Sequence, residues 1–262
     1  MSERFRLHAA VAAGAFLLAA AASAQPPGPP FQPDNRAPRE AAPIDLTGMW
    51  VAIVNEDWRW RMVTPPKGDY ASVPLNTAGR RAADEWDPAQ DGACEAYGAA
   101  ALLRMPTRVR IEWEDDDTLR LETDAGRQTR LFEFDPSPGI AARALQGRSE
   151  AEWVRPVRGP GGPGLGGAGR GGESSGGHLK VVTTNLLPGW LRRNGVPYSE
   201  NTIVTEHFDR FPSPNGDEWL MVTTIVEDPT YLSQRYVTSS HFKRETDDSN
   251  WSPRPCGVGR GS

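Results

Sequence analysis

The chain from 201 to 227 reads NTIVTEHFDRF (201–211), PSPNGD (212–217) and EWLMVTTIVE (218–227). Two runs rich in β-branched and aromatic residues flank a block of Pro, Ser, Asn, Gly and Asp. The outer runs have the composition of half-buried strands, and the block has the chemistry of a turn. The segment therefore predicts a hairpin. In its second arm Leu220, Val222, Thr224 and Val226 share one face, and Asp228 continues that face beyond the run. A hairpin alone is marginal in water, so its apolar face needs further strands.

The rest of the chain supplies them. Gly48 to Val54, Arg108 to Glu114, Thr118 to Thr123, Gln128 to Phe134, Ala151 to Val154, His178 to Asn185 and Tyr236 to Arg244 carry the same pattern. Asp115-Asp116-Asp117 marks a second hairpin turn, and the acidic run Glu114 to Asp117 reads as its solvated tip. One region is helical. Asn76 or Thr77 can cap Ala78 to Trp86, and Cys94 to Leu103 forms a second Ala-rich turn before Pro106. Eight or nine short strands with one helical insertion predict a mainly β protein, an antiparallel barrel or sandwich. The barrel is favoured because closing the sheet removes its exposed edges.

Residues 1–24 read as a secretory signal peptide: Arg4 and Arg6, an apolar run from Ala9 to Ala22, and Ala22-Ser23-Ala24 as the cleavage pattern. The expected location is periplasmic or secreted, and the apolar run is too short for a stable membrane anchor. Residues 25–43 read as a Pro-rich linker, 44–251 as one barrel domain and 252–262 as a tail. Gly159 to Gly177 is a Gly-rich loop without a following Lys-Ser/Thr, so it does not read as a phosphate cradle. The chain has two cysteines, Cys94 and Cys256. Neither has a Cys or His at ligand spacing, and an exported chain permits a disulfide, so the two are expected to bridge. A formal charge of −5 gives no support for a nucleic-acid surface.

Trp50 within Thr47-Gly48-Met49-Trp50 resembles the Gly-x-Trp opening strand of lipocalins, in which the Trp plugs the closed end. The resemblance implies a basic residue of the last strand packed on that Trp, with Lys243 or Arg244 able to fill the place. A second resemblance spans more of the chain. Val181-Val182-Thr183-Thr184-Asn185, Gly195, Ser199-Glu200, Thr205-Glu206-His207-Phe208-Asp209-Arg210 and Glu227-Asp228-Pro229 are similar to motifs of a widespread group of uncharacterised secreted bacterial proteins. In that group an Arg usually stands where this chain has His207. The group carries no assigned activity, so the resemblance implies a lipocalin-like barrel and no chemistry.

The chemistry is read from side chains. Asn55 to Met62 reads NEDWRWRM. If the first strand continues, Trp50, Val54, Trp58, Trp60 and Met62 share one face and Asp57, Arg59 and Arg61 the other. That gives an aromatic wall and a cationic pair able to grip a carboxylate; ordinary packing with exposed arginines is the plainer alternative. Glu206, Phe208 and Arg210 share a face, and Asp228 stands among apolar neighbours. A carboxylate so placed must be paired, hydrogen-bonded or protonated. Asp228, Glu206 and Tyr198 are thus the candidate catalytic residues, and Trp58, Arg59, Trp60, Arg61, Asn185 and His207 the candidate ligand contacts. A strand-end cap for Asp228 and a structural Glu206–Arg210 pair are the competing readings. His207 and His241 lie on strands able to be neighbours, with Glu227 a third ligand type nearby in sequence, but no metal-binding spacing occurs and no metal is expected. No Gly-x-Ser-x-Gly elbow is present. Glu227 and Asp228 point to opposite faces and cannot flank one glycosidic bond.

The favoured reading is an exported barrel that binds an apolar or aromatic small molecule, without cofactor, nucleic acid or membrane partner. A cofactor-free isomerase, lyase or hydratase using a buried carboxylate is the alternative. A structural or envelope-assembly role is the third.

Overall fold

The structure is a computed structural model that describes residues 35–89, 94–137, 139, 142–155 and 176–257. The expected signal peptide, most of the Pro-rich segment, and the Gly-rich loop apart from Gly176 and Gly177 lie outside the described residues.

Nine strands close into a barrel. In chain order the strands of the molecule are β1 (Gly48–Ile53), β2 (Arg108–Trp113), β3 (Thr118–Thr123), the short β4 (Ala125–Gly126), β5 (Thr129–Glu133), β6 (Arg148–Val154) and β7 (His178–Thr184). They continue with β8 (Gly189–Arg192), β9 (Val196–Tyr198), β10 (Ile203–Pro212), β11 (Glu218–Glu227), β12 (Tyr236–Glu245) and β13 (Arg254–Pro255). The barrel runs β1-β12-β11-β10-β7-β6-β5-β3-β2, with β1 pairing both β12 and β2. Each of the nine barrel strands falls on a run anticipated from the sequence.

One detail departs from an all-antiparallel barrel: β5 and β6 pair in parallel, through Phe132↔Ser149 and Glu133↔Glu150. An odd number of strands cannot alternate direction all the way round a closed sheet, so nine strands require one parallel pair. The chain meets this by crossing from one barrel end to the other between β5 and β6.

Inward positions follow the period-2 pattern. In β11, Leu220, Val222, Thr224 and Val226 are buried while their neighbours are half-exposed. The lumen is filled by side chains, among them Trp50, Ile111, Leu119, Phe132, Leu179, Phe208 and Phe242. At roughly 25 cal/mol per Å² of apolar area, such a layer supplies the main driving force for closure. The Trp50 indole N–H donates to the Leu46 carbonyl at 3.0 Å, and the Arg244 guanidinium lies 5.6 Å from the Trp50 ring centre. Arg244, opposite Trp50 in register, takes this place; Lys243 instead pairs with Asp217 at 2.8 Å.

The other end is capped. Residues 54–107 leave β1 and return to β2 through α1 (Trp58–Arg61), α2 (Thr77–Glu85), a 3₁₀ turn (Glu95–Tyr97) and α3 (Ala99–Leu102). Asn76 caps α2, its side chain accepting from the Gly79 N–H at 2.9 Å. The β8–β9 hairpin and the loop after β11 complete the cap. Tyr70, Leu75, Ala83, Leu191, Tyr198 and Leu232 form its apolar core. Gly98 and Gly189 leave room for the Tyr198 phenol, since a Cβ on either would stand within 3 Å of its hydroxyl.

The expected continuation of the first strand through Met62 is corrected. β1 ends at Ile53, Asp57 adopts a left-handed conformation with φ 50°, and Trp58–Arg61 is helical. Asn55-Glu56-Asp57 is turn chemistry, and Asp tolerates positive φ better than β-branched residues do. Trp50 therefore lies in the lumen while Trp58 is 63% exposed, and no shared aromatic wall forms. The Pro-rich segment is also not wholly a linker. Ala41 is buried, the Pro38 carbonyl accepts from the Trp153 indole at 2.8 Å, and the Arg39 N–H donates to Asp116.

Cys94 and Cys256 are bridged, with Cα atoms 5.2 Å apart and a sequence separation of 162. The bridge and the pairing of β13 with β4 tie the tail to the cap.

Candidate functional site

The cap and the lumen use buried charge differently. In the lumen Arg130 and Glu206 are both fully buried. Their contact is bidentate, Nη2 to Oε2 at 2.6 Å and Nη1 to Oε1 at 3.1 Å. Arg130 also donates to the Thr183 hydroxyl at 3.0 Å, and Ser149 and Thr183 hydroxyls are 2.8 Å apart. This pair answers what Glu206 does: its partner is Arg130, not Arg210, which instead pairs with Glu218. The sequence carried a usable signal, because Arg130 shares strand parity with the fully buried Phe132.

Asp228 is likewise occupied. Its carboxylate accepts from the Ser199 N–H and hydroxyl, the Thr202 hydroxyl, and the Thr230 and Tyr231 N–H groups. It fastens the loop after β11 to the loop before β10. The Tyr198 hydroxyl is buried without a hydrogen-bond partner among the described residues, and burial pushes its phenol well above the usual range. Asn185 has φ 56° and turns the chain at the end of β7, a conformation Asn accepts more readily than most residues. These four residues stand apart from one another in role: a lumen ion pair, a loop clasp, a cap core and a corner.

A second arrangement lies at the rim of the capped end. Trp60 and Arg61 from α1, Arg104 and Met105 after α3, Leu191 and Arg192 from β8, and Tyr236 opening β12 line a pocket of about 30 Å³. That is room for about two waters, or one carboxylate group. Arg61 is 5% exposed; its Nε donates to the Arg104 carbonyl at 2.8 Å and its Nη1 meets Glu56. Burial, with the Arg104 charge beside it, lowers its pKa to about 10, so it stays cationic at neutral pH. Arg104 pairs with Asp57 at 2.6 Å. Glu56 also receives His241 Nδ1 at 3.1 Å.

Arg192 differs from these. It is 7% exposed, its Nη1 and Nη2 have no hydrogen-bond partner among the described residues, and its guanidinium lies 5.0 Å from the Trp60 ring centre. Nη2 of Arg61 is also unpartnered. Trp60 is itself held by Asp69, through its indole N–H at 3.2 Å, and Arg59 binds the same carboxylate at 2.7 Å. Arg192 is buried beside Leu191 because a bulge between Trp190 and Arg192 breaks the alternation of β8. Simple period-2 reading would place neighbours on opposite faces, and so misses it.

Of the anticipated ligand contacts, Trp60 and Arg61 line this pocket. Trp58 and Arg59 do not: the first is solvent-exposed, and the second is spent on Asp69 and the Trp60 ring. His207 lies elsewhere, on the outer barrel face, with Nδ1 3.0 Å from His178 Nε2. The supposed grouping of His207 with His241 and Glu227 does not form, because His241 meets Glu56 and Glu227 meets Arg235. Among the described residues no group of three or more His, Cys, Asp or Glu is placed to hold a metal ion.

Fold and pocket together define a closed nine-stranded barrel with an arginine-lined recess beneath a helical cap. No family model, curated protein or solved structure matches the chain.

Proposed function

We propose that the protein is a small-molecule-binding barrel whose ligand seats a carboxylate in the recess beneath the cap, rather than in the lumen, and keeps an apolar or aromatic body outside that small recess. The observation that carries this reading is Arg192: a residue only 7% exposed whose two terminal guanidinium nitrogens are buried without a hydrogen-bond partner among the described residues. Leaving a buried charge unpaired is costly, and an anion at this point relieves that cost through charge-assisted hydrogen bonds. Trp60, Met105, Leu191 and Tyr236 offer the ligand body an apolar and aromatic surface. The enzyme reading loses support, since Asp228 and Glu206 are engaged by their own neighbours.

The test uses 2-naphthoate and its neutral amide as probes. Saturable tryptophan quenching is expected with the carboxylate and little with the amide. Arg192→Met should weaken carboxylate binding by about 1.5–3 kcal/mol, the worth of hydrogen bonds to a charged group. Equal binding of acid and amide, or none by either, defeats the proposal.

A further inference from the structure

The outer face of the barrel carries a feature that the recess does not use. His178 opens β7 and His207 lies in β10, the neighbouring antiparallel strand; His207 stands between the buried Glu206 and Phe208, His178 precedes the buried Leu179, and both are half-exposed on the outer face. Their ring nitrogens, Nδ1 of His207 and Nε2 of His178, are 3.0 Å apart, with the rings tilted by 59° and their centres 5.0 Å apart. The rings therefore meet edge to edge through nitrogen and do not stack.

Two imidazole nitrogens at this separation share one proton, or one metal ion. A metal bonds histidine nitrogen at about 2.0–2.1 Å. Two such bonds ending 3.0 Å apart enclose an angle of roughly 90–95° at the metal, the angle between adjacent ligands of a tetragonal ion. A tetrahedral ion needs the nitrogens about 3.3–3.4 Å apart. Asp209 stands two residues on along the same outward face, and its charge acts on His207. Lys180, the cation of this patch, is held by Glu152 at 2.7 Å.

We infer that His178 and His207 form a two-nitrogen chelate for a divalent ion of tetragonal preference, Cu(II) before Zn(II), with water filling the remaining positions. The order agrees with the general rise in affinity toward copper among first-row divalent ions, and imidazole suits that ion. The site is independent of the carboxylate recess, which shares no residue with it.

The experiment titrates the untagged protein with Cu(II) and separately with Zn(II), followed by calorimetry and by electron paramagnetic resonance of the copper form. One Cu(II) per chain with coupling to two nitrogens is expected, with Zn(II) bound more weakly. His178→Asn and His207→Asn should each weaken Cu(II) binding by at least about tenfold, since loss even of a group that only supports a ligand has that effect. His241→Asn should leave binding unchanged. Both histidines are partly exposed, and far-UV circular dichroism verifies that each variant is folded. Copper binding that survives in the double variant His178→Asn/His207→Asn, no copper binding by the parent protein, or tighter binding of Zn(II) than of Cu(II) overturns the inference.

Discussion

Arg130 and Arg192 are both buried guanidiniums, one in the lumen and one under the cap, and they face opposite circumstances. Arg130 meets a carboxylate in a two-pronged contact, with hydroxyls around it. Arg192 meets the Trp60 ring, and its terminal nitrogens have no hydrogen-bond partner among the described residues. The first charge is answered by a carboxylate within the folded chain, although Arg130 Nε has no hydrogen-bond partner among the described residues, so removing one partner harms the fold. The second is incomplete within the chain, so removing it relieves the fold and harms binding. A buried charge is a mark of function only when the chain itself leaves it unanswered.

The largest expected effect breaks the lumen side of this contrast. Glu206→Gln or Arg130→Met should destabilise the protein by about 3–5 kcal/mol in denaturant unfolding, because each strands the other charge. The double change Arg130→Met/Glu206→Leu should recover most of that loss. A double variant as unstable as the singles would show that the pair itself, and not the stranded charge, matters. Next in size is the bridge that ties the tail to the cap: replacing Cys94 and Cys256 with Ser should lower stability by about 2–5 kcal/mol. The cap side predicts the opposite sign. Arg192→Met should raise the stability of the ligand-free protein by about 1–2 kcal/mol, as relief of an unpaired buried charge requires. A destabilised Arg192→Met would show that Arg192 has an internal partner. Tyr198→Phe removes a hydroxyl that has no hydrogen-bond partner among the described residues, and should change stability by less than about 0.5 kcal/mol or increase it.

The smallest effect concerns pH. The His207 pKa is lowered in the folded protein, so below the ordinary histidine value of 6.5 the unfolded chain binds the extra proton first. Stability should decline as pH falls from about 6.5, and His207→Asn should flatten that slope. An unchanged slope would mean that other groups govern it.

What the sequence made legible follows from range. Strands announce themselves through alternation over a few residues, and every barrel strand was readable for that reason, as was the Asn76 cap of α2. The shared face of Glu206 and Phe208 and the apolar company of Asp228 were readable too, while which face of β10 turns inward was not. Their partners were not, because Arg130 is 76 residues from Glu206 and Ser199 is 29 from Asp228. Trp60 and Arg61 were singled out on the assumption of a continuing strand, whereas turn residues start a helix there, and it is the helix that brings both to the recess. Arg192 was out of reach, since a bulge inside a short hairpin reverses the face that alternation assigns.

The Cys94–Cys256 bridge has a topological consequence. Together with the backbone it makes a covalent ring, and every barrel strand except β1 belongs to it. β1 sits in the gap between β12 and β2, hydrogen-bonded to both and covalently outside the ring. Once the bridge has formed, completing the barrel amounts to inserting one linear strand into a slot whose two lips belong to the same closed loop. The first strand is thereby the one removable stave of the barrel, and a chain lacking it would keep its ring and expose a slot shaped for a donated strand.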